Sequence, residues 1–393
     1  MFGKCNIFKK ILSLSLMLSL VSILSGCGNQ STLHQPVPQE LNDPKSYFEI
    51  VNSEKKSIFD YKTVSSDVYL NQAISYEWVG EPKFTPLYLS DDGIVYGEAR
   101  SKENTLSLAA YDCNNGTFKL LKEALFQSPY ASIKILVSFD HQLIFEEYDQ
   151  FSGDAVYYIY DLNTGAYDKL KENEKVVPHY NLMGTSDEGI MISWYDDKSL
   201  VYVIDYYSFA TKQLERIEEK NSGYPVYYQG YWYYLCVDNT DYTTQLIQYD
   251  MKNKMKQVIF ETKGLEQYIF GLYSDDNHLL LVMECDSIEK VYQVDVEHKK
   301  IHYLFEDEWI ECMTIKNGIV SWAGTMTLEN RSRPQYYLFD IDSGIHYLYS
   351  DGTILLSNTG IAWLDLKKPD QEIDKGKLLE NENSKLSYQG FMK

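Results

Sequence analysis

Tyr160-Asp161-Leu-Asn-Thr-Gly165-Ala-Tyr-Asp-Lys-Leu170 has the form of an aromatic residue, Asp, a turn and a short apolar strand. The phrase recurs as Tyr111-Asp112-Cys-Asn-Asn-Gly116-Thr-Phe-Lys-Leu120, Ile204-Asp205, Tyr249-Asp250-Met-Lys-Asn-Lys254, Val294-Asp295-Val-Glu-His-Lys299 and Phe339-Asp340-Ile-Asp-Ser-Gly344. Read this way, successive Asp residues stand 49, 44, 45, 45 and 45 positions apart. A fixed period of this length marks a repeat architecture whose units bury their apolar faces against one another.

Each phrase follows an alternating apolar run, such as Val156-Tyr-Tyr-Ile-Tyr160 or Leu200-Val-Tyr-Val-Ile204. Earlier in each unit a turn precedes another apolar strand. These turns read Ser90-Asp-Asp-Gly93, Ser138-Phe-Asp-His141, Ser186-Asp-Glu-Gly189, Tyr228-Gln-Gly230, Ser274-Asp-Asp-Asn277, Lys316-Asn-Gly318 and Ser357-Asn-Thr-Gly360. Gly and Asn accept positive φ, and Asp or Ser caps its own backbone, so these are hairpins. Four short antiparallel strands in about 45 residues are the period of a propeller blade. Seven first hairpins against six Asp phrases predict an all-β, seven-bladed β-propeller whose last blade borrows outer strands from the amino-terminal side. Six or eight blades stay open, since Asp374-Lys-Gly376-Lys-Leu-Leu379 has the outline of a degenerate seventh phrase. The expected boundaries are 65–380 for the propeller and 381–393 for a polar tail.

The phrase resembles the repeats of the TolB-like and quinoprotein-like propellers and of the propeller lipoproteins of Gram-positive bacteria. The resemblance implies architecture. The Trp that closes each quinoprotein repeat is absent here, so no quinone site comes with it.

The chain opens with Lys4, Lys9 and Lys10 ahead of an apolar run from Ile11 to Leu24. A bilayer-spanning helix needs roughly 20 such residues, and a shorter run behind a basic start is the layout of a secretory signal. It ends Leu24-Ser25-Gly26-Cys27, which resembles the lipobox of bacterial lipoproteins at all four positions. That resemblance implies a signal peptide over 1–26, diacylglycerol on the Cys27 thiol and acylation, with palmitate or a similar chain, of the new amino terminus. The expected location is the extracytoplasmic face of the cell membrane, lipid-anchored. Residues 27–64, with Pro36, Pro38 and Pro44 among polar neighbours, read as a tether and lead-in.

The formal charge of −21 becomes −24 once the three leader lysines are lost. Such acidity repels nucleic acid and anionic lipid headgroups. Cys113, Cys236, Cys285 and Cys312 are far apart with no CxxC pair, which argues for buried thiols over a zinc site or a dense disulfide framework and leaves one disulfide, of unassigned partners, open outside the membrane. The abundant tyrosines, 35 in all, suit half-buried strands and also a glycan- or peptide-binding face.

No HExxH, nucleophile elbow, phosphate loop or dinucleotide fingerprint is present. No catalytic residue, cofactor or metal ligand is therefore assigned. His302 and His346 fall on outer strands, where a solvent-facing imidazole is expected. The first-hairpin turns should gather on one face, where Asp91, Asp92, Asp140, Asp187, Glu188, Asp275 and Asp276 would form an acidic rim. The rim suits a divalent cation or a basic partner, although Asp is also ordinary turn chemistry. These readings describe a non-catalytic, monomeric surface module for a protein, peptide or glycan. The alternative is an extracellular carbohydrate-active or other hydrolytic enzyme with carboxylates at the channel. Two convergent carboxylates of raised pKa would favour the enzyme, and an apolar channel would favour binding.

Overall fold

The computed structural model describes residues 48–51, 62–65, 74–77, 82–139, 141–175, 183–196, 198–264, 267–285, 288–328, 331–349, 352–366 and 384–390. Every regular element among them is a β-strand. The leader, Cys27 and the tether up to residue 47 lie outside the described residues, as does 367–383 with the degenerate phrase.

Six blades are each built from four consecutive antiparallel strands: 83–123, 131–175, 183–218, 222–262, 267–307 and 311–349. A further four-stranded sheet is composite. Its order is Gly352–Leu356, Gly360–Leu366, Ser384–Gly390 and then Ile74–Glu77 from the opposite end of the chain. The first strand of each sheet is innermost. These strands neighbour one another in a closed circuit, with Gly352–Leu356 beside both Glu311–Lys316 and Lys83–Leu89. The complete blades number six, and the borrowed outer strand is Ile74–Glu77. The tail expected over 381–393 instead supplies the strand Ser384–Gly390, whose backbone pairs on both sides.

Two more strands arise where a tether was expected. Glu49–Val51 pairs in parallel with Lys300–Asp307, the outer strand of blade 5, and Lys62–Ser65 does the same with Ile345–Tyr349 of blade 6. Before entering blade 1, the chain thus straps three successive outer edges, which would otherwise offer unpaired N–H and C=O groups.

The core lies in the seams between blades. The second strand of blade 5, Leu279–Cys285, is apolar at nearly every position because both of its faces are covered. Leu279, Leu281 and Met283 pack toward blade 4, and Leu280 and Val282 toward blade 6, as the two-residue strand period requires. Blade 4 repeats the device: Tyr233 and Leu235 fill one seam, and Trp232 and Tyr234 the other. Each fully buried side chain of this kind stabilises the ring by roughly 1.5–3 kcal/mol. Cys236 and Cys285 are buried among these residues, and Cys113 is buried in the cluster of Leu89, Val95 and Tyr111. Burial pushes the thiols of Cys113 and Cys236 up to about 12, so they act as small hydrophobes.

The Asp phrase is a tight turn closed by a left-handed residue four positions on, whose N–H returns to the carbonyl of the first residue, as Gly116 N–H does to Asp112 O. Gly116, Gly165, Lys212, Lys254, Lys299 and Gly344 all have positive φ there. Asp112, Asp161, Asp250, Asp295 and Asp340 each accept a backbone N–H of their own turn. Blade 3 departs from the expected register. Asp205 lies inside its strand Val201–Ser208, and Ser208 anchors the turn, accepting from Thr211 N–H through Oγ. Asp205 is instead buried, where it takes hydrogen bonds from Trp194 Nε1 (2.7 Å) and Arg216.

Candidate functional site on the turn-bearing face

The first hairpins and the Asp-phrase turns lie side by side on one face. Cys113 N–H donates to Gly93 O (3.0 Å), Leu162 N–H to His141 O (2.7 Å), Phe209 N–H to Glu188 O (3.1 Å) and Ile341 N–H to Gly318 O (3.0 Å). The acidic residues expected as a rim are therefore carried by turns of this face, apart from Asp140, which lies outside the described residues.

Two of them are committed to holding blades together. Asp91 accepts Asn358 N–H (2.7 Å) and Asn358 Nδ2 (3.0 Å), bridging blade 1 to the composite sheet. Asp275 is buried. Its carboxylate accepts Gly318 N–H (2.7 Å) from blade 6, together with Asn277 N–H, His278 N–H and the His278 ring (3.0 Å). Burial alone would raise this carboxyl, but the His278 hydrogen bond and those from Gly318 and Asn277 hold it below its ordinary value. The bond to Asp275 in turn raises the His278 imidazole, helped against burial by the charges of Asp275 and Asp342. Asp92, Asp187, Glu188 and Asp276 remain exposed.

Blade 4 breaks the acidic pattern. Its hairpin, Tyr227-Tyr-Gln-Gly-Tyr231, carries no carboxylate and leaves Tyr227 37% and Tyr231 40% exposed. Gln229 and Gly230 both have positive φ, the tight two-residue turn that lets the tyrosines flank it. Tyr227 leans on Trp232, with ring centroids 5.2 Å apart, and Trp232 meets Tyr206 edge-on at 6.0 Å. Burial, then the charge of Glu188, raises the Tyr206 hydroxyl. On the other flank Tyr228 OH donates to Asn277 O and Ser274 Oγ to Tyr227 O, both at 3.1 Å. Sequence reasoning passed over this hairpin because it lacks Asp; its signal was an aromatic turn between two acidic ones.

Around the axis, inner strands bulge at Leu87, Leu136, Tyr224-Pro225, Phe270 and Cys312-Met313. Leu87, Leu136, Tyr224, Phe270 and Met313 all pack onto seam clusters, so the innermost layer is apolar at these points. Among the described residues two carboxylates are raised, both first by burial. Glu146 is countered by Lys134 and by Tyr157 OH, and Asp307 by Trp322 Nε1. They belong to blades 2 and 5 and do not converge. The buried Glu147 pins the chain where it crosses from blade 1 to blade 2, accepting Leu125 N–H (2.5 Å), and the half-buried Glu98 of blade 1 accepts Ile133 N–H (3.2 Å) of the inner strand of blade 2.

His346 is not solvent-facing as expected. It is fully buried, stacked on Tyr337 at 5.5 Å, in an outer strand covered by Lys62–Ser65, and burial lowers it to about 4. His302 is partly exposed, with Asp295 3.9 Å away. No group of three or more His, Cys, Asp and Glu among the described residues is arranged to hold a metal ion.

No protein-family model and no curated protein matches the chain. Solved structures do share its fold. An oligogalacturonate lyase from Vibrio parahaemolyticus is 8% identical, with a TM-score of 0.54, over 80% of this chain and 91% of that one. The β-propeller domain of the trilobed protease from Pyrococcus furiosus is 12% identical, with a TM-score of 0.50, over 73% and 90%. TolB from Acinetobacter baumannii is 14% identical, with a TM-score of 0.47, over 69% of this chain and 66% of TolB, just under two thirds of its length. The chain is a β-propeller. At such identities the likeness is one of fold alone, and activities grafted on this fold differ.

Proposed function

We propose that this chain is a lipoprotein, anchored through Cys27 to the extracytoplasmic face of a membrane, whose propeller binds a protein, peptide or glycan without transforming it. In this reading the composite sheet closes the ring as a seventh blade and gives the partner a rigid face. The observation that carries it is the hairpin of blade 4, whose exposed tyrosines stand on a face held rigid by turn-to-turn hydrogen bonds. Rigid aromatic groups lose little conformational entropy on binding and are enriched where proteins meet partners.

Thermal shift of the soluble chain from residue 28 against cell-wall glycans, peptides and calcium tests the binding half. A ligand at about 100 times its Kd adds roughly 2.7 kcal/mol. The reading fails if a stabilising glycan or peptide is also cleaved. Mass spectrometry of the mature protein tests the anchor: a diacylglyceryl, N-acyl Cys27 is expected, and an unmodified first residue overturns it. Cys27→Ser should release the protein from the membrane fraction.

The hydrolytic alternative has one group in its favour, Glu146, raised by burial and flanked by Lys134 and by Tyr157 OH at 3.3 Å. It predicts turnover of a glycan that Glu146→Gln abolishes.

A further inference from the structure

The turn-bearing face is uneven in a way that specifies a partner. Four of its seven first-hairpin turns contain a carboxylate, and blade 4 sits between two of these, Asp187-Glu188 in blade 3 and Asp275-Asp276 in blade 5. Tyr227 and Tyr231 lie on opposite sides of the blade 4 hairpin. Tyr227 pairs across it with Trp232, toward blade 3, and Tyr231 pairs with Tyr228, whose hydroxyl is bonded to blade 5. Each half-exposed ring therefore lies on the side of an acidic turn. The hairpin is contacted from both flanks: Tyr206 of blade 3 meets Trp232 edge-on at 6.0 Å, and Ser274 Oγ of blade 5 donates to Tyr227 O.

Aromatic faces beside carboxylates attract a cation twice, through the negative ring face and through direct charge. A guanidinium or ammonium on a long aliphatic stem also covers apolar ring surface with that stem. A neutral glycan would gain hydrogen bonds from the carboxylates but no charge pairing, and an anionic partner would be repelled by a chain of net charge −21. We propose that the blade 4 hairpin, with Tyr227 and Tyr231 exposed among Asp187, Glu188 and Asp276, docks a lysine- or arginine-bearing segment of a protein partner. This rests on the reading of the chain as a binding module and adds the chemistry of what is bound.

The test titrates the full-length chain in detergent with decalysine, deca-arginine, decaglutamate and an uncharged oligosaccharide, followed by calorimetry. The basic peptides should bind, deca-arginine the tighter, and binding should weaken when salt rises from about 50 to 300 mM. Tyr227→Ala with Tyr231→Ala should weaken deca-arginine by about tenfold. Glu188→Gln should weaken it by roughly threefold. Circular dichroism of each variant should match the parent, since the altered side chains are exposed. The inference is overturned if the tyrosine pair changes affinity less than twofold, because general acidity would then suffice. It is equally overturned if the basic peptides fail to bind. Uncleaved binding of the oligosaccharide alone would leave the binding module standing while removing this inference, whereas cleavage of any probe would remove the module reading itself.

Discussion

Replacing Asp275 should loosen the seam between blades 5 and 6 by an amount the structure allows to be worked out. Its side chain is 1% exposed and that of its partner His278 is 8% exposed. Asp275→Ala strands the Gly318, Asn277 and His278 backbone N–H groups together with the His278 ring. Breaking a buried charged pair by removing one member costs about 3–5 kcal/mol. With an unfolding entropy near 2.1 cal/mol/K per residue, a fold of roughly 320 residues loses about 4–7 °C of Tm. The pH dependence follows from the two shifts. The raised imidazole stabilises below its unfolded value near 6.5, and that stability is lost as pH climbs through the higher folded value. The lowered carboxyl stabilises above about 4 and is lost as pH falls through its folded value. The pair therefore contributes most between about pH 4 and 6.5. Calorimetric Tm values for the parent and for His278→Gln, measured from pH 5 to 9, should differ most at the acid end and converge toward the alkaline end. A gap independent of pH, or an Asp275→Ala protein within 1 °C of the parent, would refute the argument.

Three further outcomes follow from the same packing. Glu147→Ala leaves Leu125 N–H and Lys122 without their acceptor and should cost about 3–5 kcal/mol, read as a lower urea midpoint at unchanged slope. Gly184→Ala would place a Cβ 2.5 Å from Pro225 O and 2.9 Å from Trp232, wedging the seam of blades 3 and 4; a loss of roughly 1–3 kcal/mol with altered near-ultraviolet dichroism is expected. Removing residues 1–77 strips the outer strand from Ser384–Gly390 and both parallel straps, so limited proteolysis should cut first within the composite sheet and the protein should self-associate through its bared edges.

The ring was legible because its signals are local. Turn residues and strand alternation lie within a few positions of one another, and second strands such as Leu279–Cys285 are apolar on both faces. The misreading at blade 3 has an equally local cause: Ser208 does the capping usually given to Asp, and the clue was Lys212 four residues on, matching Lys254 and Lys299. Three-residue straps such as Glu49–Val51 are too short to show any period, and they pair with partners some 250 positions away. His346 was misjudged because the rings it stacks on, Tyr337 and Trp322, belong to neighbouring strands of its blade, and nothing within its own short strand marks that face as covered. The acidic turns were legible as positions, but not their employment: nothing local distinguishes Asp275, sealed in a seam, from its exposed neighbour Asp276.

The division of the carboxylates explains how so acidic a chain closes a ring. A blade must be entered by a strand crossing from its neighbour's outer edge to the axis, and the backbone N–H groups at these crossings have no ladder partner. Glu147 at Leu125 and Glu289 at Ile310, both buried, supply acceptors there, where an unmet N–H costs about 1–3 kcal/mol. Asp91 and Asp275 do the same between turns. The charges that remain on the exposed turns are not needed to hold the blades together. Neutralising Asp187, Glu188 and Asp276 together should therefore leave Tm nearly unchanged while it weakens a basic ligand, whereas neutralising Glu147 alone should do the reverse. That opposition separates the carboxylates that build the propeller from those left open to a basic ligand.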